Sequence, residues 1–243
     1  MEFTTKAYIE LLNLLKHNGY YFCLYRESET VKKSVIIRHD VDFSIEKALE
    51  MARLEHDLAV KSTYFILLST NFYNVFSKDS FEKLKEIYSL GHEIGLHFDE
   101  KRYDIQTIRD MQNFVELEAE VLGKLLNTDI TVVSMHRPSK LVLENDIPFH
   151  QIINSYSSKY FKSMKYVSDS RMNWREDPIE TIESGKYEKL HILTHPFWYS
   201  TDNETMEVKL KDFLKQSIRE RYDFMYDNFT ALDQVIDWKE ITG

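Results

Sequence analysis

The 243-residue sequence is poor in the residues that make staples and linkers: one cysteine, six glycines and four prolines. A lone Cys23 excludes an intramolecular disulfide and any Cys-x-x-Cys zinc site. So little glycine and proline leaves no material for long linkers, and no low-complexity tract or internal repeat is present, so a single domain over 1–243 is expected. No apolar run approaches the roughly 20 residues that span a bilayer. The opening Met1–Lys6 is interrupted by acidic and polar residues, unlike a secretory leader, and a cytoplasmic protein is the expectation. Basic residues are also in deficit, 31 Lys+Arg against 40 Asp+Glu, for a formal charge of −9. A nucleic-acid partner needs a basic face to displace counterions from phosphate, and this balance argues against one. It leaves a neutral sugar or amide as a substrate class. What is present, 43% hydrophobic and 29% charged residues, is an ordinary globular composition with enough length for its own core.

Hydrophobic periodicity alternates between helix and strand. Tyr8, Leu11, Leu12 and Leu15 recur at helical spacing over Thr5–His17, with Gly19 as a stop. Val35-Ile36-Ile37 marks a buried strand over Lys33–Arg38. Ser44 stands as an N-cap for a helix to Asp57, Ser62–Leu68 reads as a strand, and Ser80 as the cap of a helix through Leu90. A strand over His92–Phe98, a helix over Asp104–Leu126 and a strand over Thr131–Met135 follow. After His136 the pattern loosens, and it recovers in a strand at Leu190–Leu193 and a helix over Asn203–Tyr226. This alternation signals βαβ crossovers and a parallel sheet, either open and doubly wound or closed as a (β/α) barrel. In both, chemistry gathers where strands end.

Those ends are polar. In Arg38-His39-Asp40-Val41-Asp42, Asp40 and Asp42 share a face, because residues two apart in a strand point the same way. Paired carboxylates repel unless a cation lies beside them, so either a divalent metal binds there or the aspartates cap the next helix with Arg38 as an ion-pair partner. His97, in Gly91-His92-Glu93-Ile94-Gly95-Leu96-His97, falls at a strand end where an imidazole can ligate a metal, whereas His92 at the other end reads as structural. Gly95 suggests backbone packed closely against a neighbour. Ser134-Met135-His136-Arg137-Pro138 offers an Arg able to orient a carboxylate, or an ordinary surface Arg beside a loop histidine. Asp169 lies in a polar stretch with Trp174, which reads equally as a sugar platform and as a plug of the barrel end. His195 follows the last strand, and His191 within it reads as packed. There is no Gly-x-Ser-x-Gly elbow, Gly-rich phosphate loop or dinucleotide fingerprint. Metal-assisted hydrolysis is the chemistry left.

In order and spacing, these motifs resemble the polysaccharide deacetylase (NodB-like) family over roughly Lys33 to Trp198. The resemblance implies a distorted (β/α) barrel, here with an added N-terminal and an added C-terminal helix. It implies a metal-dependent hydrolase that removes an N-acetyl or other N-acyl group from an amino sugar or glycan precursor in polysaccharide or glycoconjugate biosynthesis. Asp40 would be the catalytic base, Asp42 and His97 metal ligands, Arg137 the residue orienting the base, Asp169 the partner of the general acid His195, and Trp174 a wall of the substrate pocket. The metal would be zinc, with cobalt or nickel as substitutes, and the substrate an amino sugar, a nucleotide-sugar or a lipid-linked glycan. The family's second motif carries another histidine where this chain has Lys101. The third ligand would then be His136, with Asp99 or water as alternatives. His136 and Arg137 are adjacent and face opposite ways along a regular strand, so both can serve only if the chain bends before Pro138. The rival readings are a glycan- or nucleotide-sugar-binding domain without catalysis, and a metal-dependent amidohydrolase acting on N-formyl or non-sugar amides.

Overall fold

The computed structural model describes residues 1–236, 238 and 241. They fall into two compact units, one over Met1–Thr201 and a second beginning at Asp202. The first unit runs α1 (Thr5–His17), β1 (Tyr21–Phe22), β2 (Ser34–Val41), α2 (Ile45–Asp57), β3 (Thr63–Leu67), α3 (Lys78–Ser89), β4 (Glu93–Phe98), α4 (Ile108–Leu126), β5 (Val132–Met135), α5 (Lys140–Glu144), β6 (Ile153–Asn154), α6 (Ser158–Phe161), β7 (Lys165–Ser168), α7 (Pro178–Glu183) and β8 (Lys189–Thr194). The second unit contains α8 (Met206–Asn228). Among the described residues, no helix is long and apolar enough to cross a membrane.

Among the described residues, all strand pairings are parallel, in the order β6-β5-β4-β3-β2-β8-β7, with β1 alongside the start of β2. The sheet is curled. In a flat sheet, β2 and β6 would stand four strand spacings apart, roughly 19 Å. Yet the Arg38 side chain of β2 donates from Nη1 to Ser155 Oγ, just past β6, at 2.9 Å. The barrel-like curl expected from the resemblance is therefore a property of this sheet, whose path ends at β6 and β7.

Alternation along β2 sorts its residues between the two sides of the curl. Ile36 packs inside with Cys23, Tyr25, Phe65, Val132, Tyr160 and Met164, and Arg38 and Asp40 point the same way. Val41 packs outside with Ile45, Leu49 and Ala52 of α2 in the larger core between sheet and helices. The inside is tight at Gly95, where a Cβ would lie 2.6 Å from Phe65 Cε1 and 2.9 Å from Val132 Cγ1. Gly95→Ala is thus expected to cost about 1–3 kcal/mol through overpacking. A urea unfolding curve checks it, and an unchanged midpoint would show that Phe65 can move aside.

Capping explains where helix starts depart from the pattern. The helix expected to be capped by Ser80 starts at Lys78, because Ser77 Oγ accepts from the Ser80 amide. The helix expected from Asp104 starts at Ile108, where Thr107 and Asp110 form a reciprocal capping box. The loosened stretch after His136 holds α5, β6, α6, β7 and α7, none longer than six residues. Elements that short show neither a helical nor a strand period.

Candidate active site at the strand ends

Parallel pairing lays the polar strand ends side by side. His39 of β2 is in register with Thr194 of β8, and His97 of β4 with Ser134 of β5. The ladder continues one residue past β5, where the His136 amide donates to the Phe98 carbonyl at 2.9 Å. The Asp169 amide likewise donates to the Leu193 carbonyl, holding the residue after β7 against β8. His97, His136 and Asp169 are therefore positioned by backbone bonds of the sheet, and Asp42 and His195 directly follow β2 and β8.

Three of these converge. Asp42 Oδ1 lies 3.2 Å from His97 Nε2 and 3.1 Å from His136 Nδ1, and the two nitrogens are 3.2 Å apart. Ligand atoms about 2.0–2.1 Å from a tetrahedral ion stand roughly 3.3–3.4 Å from one another, so this triangle is the right size for one. The Asp42 Oδ1 atom is buried and makes no hydrogen bond despite the two nearby nitrogens. Both imidazole nitrogens stand at contact distance from that oxygen and within hydrogen-bond distance of each other. The second nitrogen of His97, Nδ1, donates to the Ser134 carbonyl at 3.3 Å, which leaves Nε2 as the free lone pair. Burial works to raise the Asp42 carboxyl pKa, but His136 and His97 prevail and hold it well below the ordinary range. One carboxylate and two imidazoles form a donor set suited to zinc or a similar divalent ion.

Asp40 stands next to this triangle, its Oδ2 3.7 Å from His97 Nε2. Its partner is Arg38, whose Nη2 donates to Oδ1 at 3.0 Å and Oδ2 at 2.7 Å. Arg38 is wholly buried, also donates to Ser134 Oγ and Ser155 Oγ, and has its guanidinium carbon 5.1 Å from the Phe65 ring and 5.4 Å from that of Tyr156. Burial pushes the Asp40 carboxyl upward, and Arg38, with His97 and His195, more than offsets it, so the group stays below its usual pKa.

His195 completes the ring of groups. Asp169, fully buried, accepts from His195 Nδ1 at 2.6 Å, from the His195 amide at 3.0 Å and from Tyr199 Oη at 3.1 Å. This fixes the imidazole with Nε2 toward the site, 3.9 Å from Asp42 Oδ2. Burial opposes protonation, but the Asp169 carboxylate wins and pushes the His195 pKa up to about 9.

Arg137 does not orient Asp40. Its guanidinium pairs with both oxygens of Asp99, and its side chain is 48% exposed. The reason is the alternation noted above. His136 takes the inward direction, so Arg137 turns away, while Arg38 already shares the Asp40 face two residues upstream. Asp99, occupied by Arg137 and the Lys101 amide, is not available as the third ligand. Lys101 is exposed on the turn Glu100–Arg102 and is not among the three residues of the triangle. Trp174 is half-buried in the loop after Asp169, beyond Arg171 and Met172, both in left-handed backbone conformation (φ 59° and 52°). The remaining histidines of the motifs are packed. His92 bonds Ala52 O and Ser62 Oγ, and His191 lies inside the curl against Tyr25 Oη and the Tyr160 carbonyl.

No family model and no curated protein matches the chain. It is similar in structure to carbohydrate deacetylases. The peptidoglycan deacetylase PdaC from Bacillus subtilis matches at a TM-score of 0.45 and 13% identity, over 82% of this chain and 98% of that one. A CE4 family pseudoenzyme from Bacillus anthracis matches at 0.43 and 13% identity, over 76% of this chain and 62% of that one, so the chain spans less than two thirds of that protein's length. A chitin deacetylase from the fungal pathogen Colletotrichum lindemuthianum matches at 0.41 and 14% identity, over 75% and 81% of the two chains.

Proposed function

We propose that the chain is a metal-dependent hydrolase that removes an N-acetyl or similar N-acyl group from an amino sugar. The observation that carries this reading is the Asp42–His97–His136 triangle flanked by a carboxylate on one side and an Asp-held imidazole on the other. Asp42, His97 and His136 would hold a divalent cation, which would supply Lewis acidity toward an amide carbonyl and water. Asp40, kept ionised by Arg38, accepts the proton of the attacking water as its oxygen bonds the acyl carbon. His195, held protonated by Asp169, gives its Nε2 proton to the amine nitrogen as the C–N bond breaks. Trp174, next in chain to the Asp169 turn, is assigned to the sugar side of the pocket.

The placement of His136 beside Asp42 and His97 supports the catalytic reading over a binding domain without hydrolysis, the reading that Lys101 in the motif favours. The test is metal content together with acetate release. About one divalent ion per chain is expected by elemental analysis, lost in Asp42→Ala, His97→Ala and His136→Ala. The metal-loaded parent should release acetate from N-acetylglucosamine or its nucleotide-linked form. A chain that takes up no zinc, cobalt or nickel would overturn the proposal.

A further inference from the structure

An open cleft of about 370 Å³ lies beside the triangle, lined by Leu68, Ser69, Thr70, Asp99, Lys101 and Arg102. It shares a wall with the site, because Thr70 Oγ1 donates to the Asp42 carbonyl at 3.1 Å and Asp99 lies two residues beyond His97. We propose that this cleft binds an anionic group of the substrate, a carboxylate or a phosphate carried on the sugar, with the Lys101 ammonium as its charge partner. The inference deepens the deacylase reading and rests on it only for taking the ligand to be the substrate.

Charge accounting around the cleft decides the sign of the ligand. Three cations stand at this edge. Arg137 is taken by Asp99, and Arg102 donates from Nη1 to Glu118 Oε1 at 3.0 Å. Among the described residues, the Lys101 ammonium has neither an ion pair nor a hydrogen bond, although its own amide donates to Asp99 Oδ1 at 3.2 Å and its turn is capped by that residue. The lysine is therefore carried on a fixed turn with its charge uncompensated. The one carboxylate in the lining, Asp99, is neutralised by Arg137, so it offers nothing to a cationic ligand and repels an anion little.

A second feature points the same way. Ser69 Oγ, on the same wall, is buried and has no hydrogen-bond partner. A hydroxyl left so costs free energy that an acceptor in the cleft would recover once the Ser69 side chain turns toward it. An anion accepts from both the ammonium and the hydroxyl and offsets the charge, whereas an uncharged sugar can accept from both but leaves the charge uncompensated. The overall charge of −9 does not oppose this at contact range, because charges more than about 8 Å away are largely screened at physiological salt. An ammonium is a point charge without the planar fork of a guanidinium, so it accepts carboxylate and phosphate alike.

The test is an amide NMR titration of the metal-free chain, in which an anion has no metal to bind. Glucose, glucuronate and glucose 1-phosphate serve as probes. The two charged sugars should shift the amides of Ser69, Thr70, Lys101 and Arg102 at concentrations where glucose does not, and the tighter of the two names the anion. Lys101→Met should weaken that binding by roughly tenfold or more, as for a hydrogen bond to a charged group, and Lys101→Arg should restore part of it. Charged sugars binding no better than glucose, or binding unaltered in a folded Lys101→Met chain, would overturn the proposal. Turnover separates it from the parent reading. In the metal-loaded chain, the preference in kcat/KM for N-acetylglucosamine 1-phosphate over N-acetylglucosamine should fall toward one in Lys101→Met. Binding that depends on Lys101 without any hydrolysis would sink the deacylase and leave the anion site standing. Hydrolysis without preference and without anion binding would do the reverse.

Discussion

Asp40→Asn is expected to slow amide hydrolysis by roughly 10²–10⁴-fold, the usual worth of a positioned general base, while the chain still takes up its metal. The amide keeps the shape of the carboxylate and accepts from Arg38, but it cannot take a proton. Because Asp40 and Arg38 form a buried pair, the same substitution is also expected to lower stability, so kcat must be compared at a temperature where both proteins are folded. The arginines then separate the two ways of holding the base. Arg38→Gln removes the charge that keeps Asp40 ionised, and the acidic limb of the pH–rate profile should move to higher pH. Arg137→Ala leaves Asp40 with both its Arg38 hydrogen bonds, and that limb should stay in place. A shift with Arg137→Ala and none with Arg38→Gln would restore Arg137 to the role that the motif resemblance implies. His195 gives an independent check at the other limb. In the metal-free chain its imidazole should titrate by NMR at about 9, and Asp169→Asn should bring it back toward the ordinary value. Since the folded value is the higher one, this pair stabilises the fold fully below pH ~6.5, the ordinary histidine value, and the contribution is lost as pH rises through about 9.

The strand ends were legible in the sequence for a physical reason. A parallel strand buried on both faces reads as a short apolar run, and the residue where the run turns polar is the residue at the mouth of the sheet. That logic locates Asp40, Asp42, His97 and His195 without any side-chain contact. The alternation rule was also sufficient to pair Arg38 with Asp40, since they are two apart on one strand. The resemblance instead drew the Asp40 partner from Arg137, whose direction depends on how the chain bends before Pro138, a detail no periodicity carries. Tyr199 as a donor to Asp169 was not legible, because a contact across 30 residues leaves no local pattern. Nor were β6 and β7, whose four residues or fewer are held by neighbours already in place. The largest omission was on the outer face of the sheet. Glu55 reads as one more charged residue near the end of an amphipathic helix.

In the fold Glu55 is fully buried, and Glu55→Ala is expected to cost about 3–5 kcal/mol of stability, the scale for breaking a buried charge network. Its carboxylate accepts from Tyr8 Oη at 2.5 Å, Ser62 Oγ at 2.6 Å, Tyr64 Oη at 2.7 Å and His39 Nε2 at 2.9 Å. These donors come from α1, β2, β3 and the residue before β3. One side chain therefore joins the first helix to two adjacent strands. A carboxylate accepts at both oxygens and donates at neither. Glu55→Gln places an NH₂ group where donors already point, so it should be nearly as damaging as alanine despite its matching shape. Burial raises the Glu55 carboxyl pKa, but His39, His92 and the Ser62 hydrogen bond prevail and bring it to about 2. With the folded value below the unfolded one, the stabilisation is complete above pH ~4.5, near the ordinary glutamate value, and is lost as pH falls through about 2. Urea midpoints for parent and Glu55→Gln should therefore differ most near neutrality and converge in strong acid. The network also reaches the site. The other nitrogen of His39, Nδ1, lies 2.7 Å from Thr194 Oγ1, and His39 sits between Arg38 and Asp40 while Thr194 precedes His195. Loosening it should misplace the base and the general acid together, lowering kcat more than metal affinity. Equal urea midpoints for Glu55→Gln and the parent at pH 7 would mean that the buried carboxylate holds neither the sheet nor the site in place.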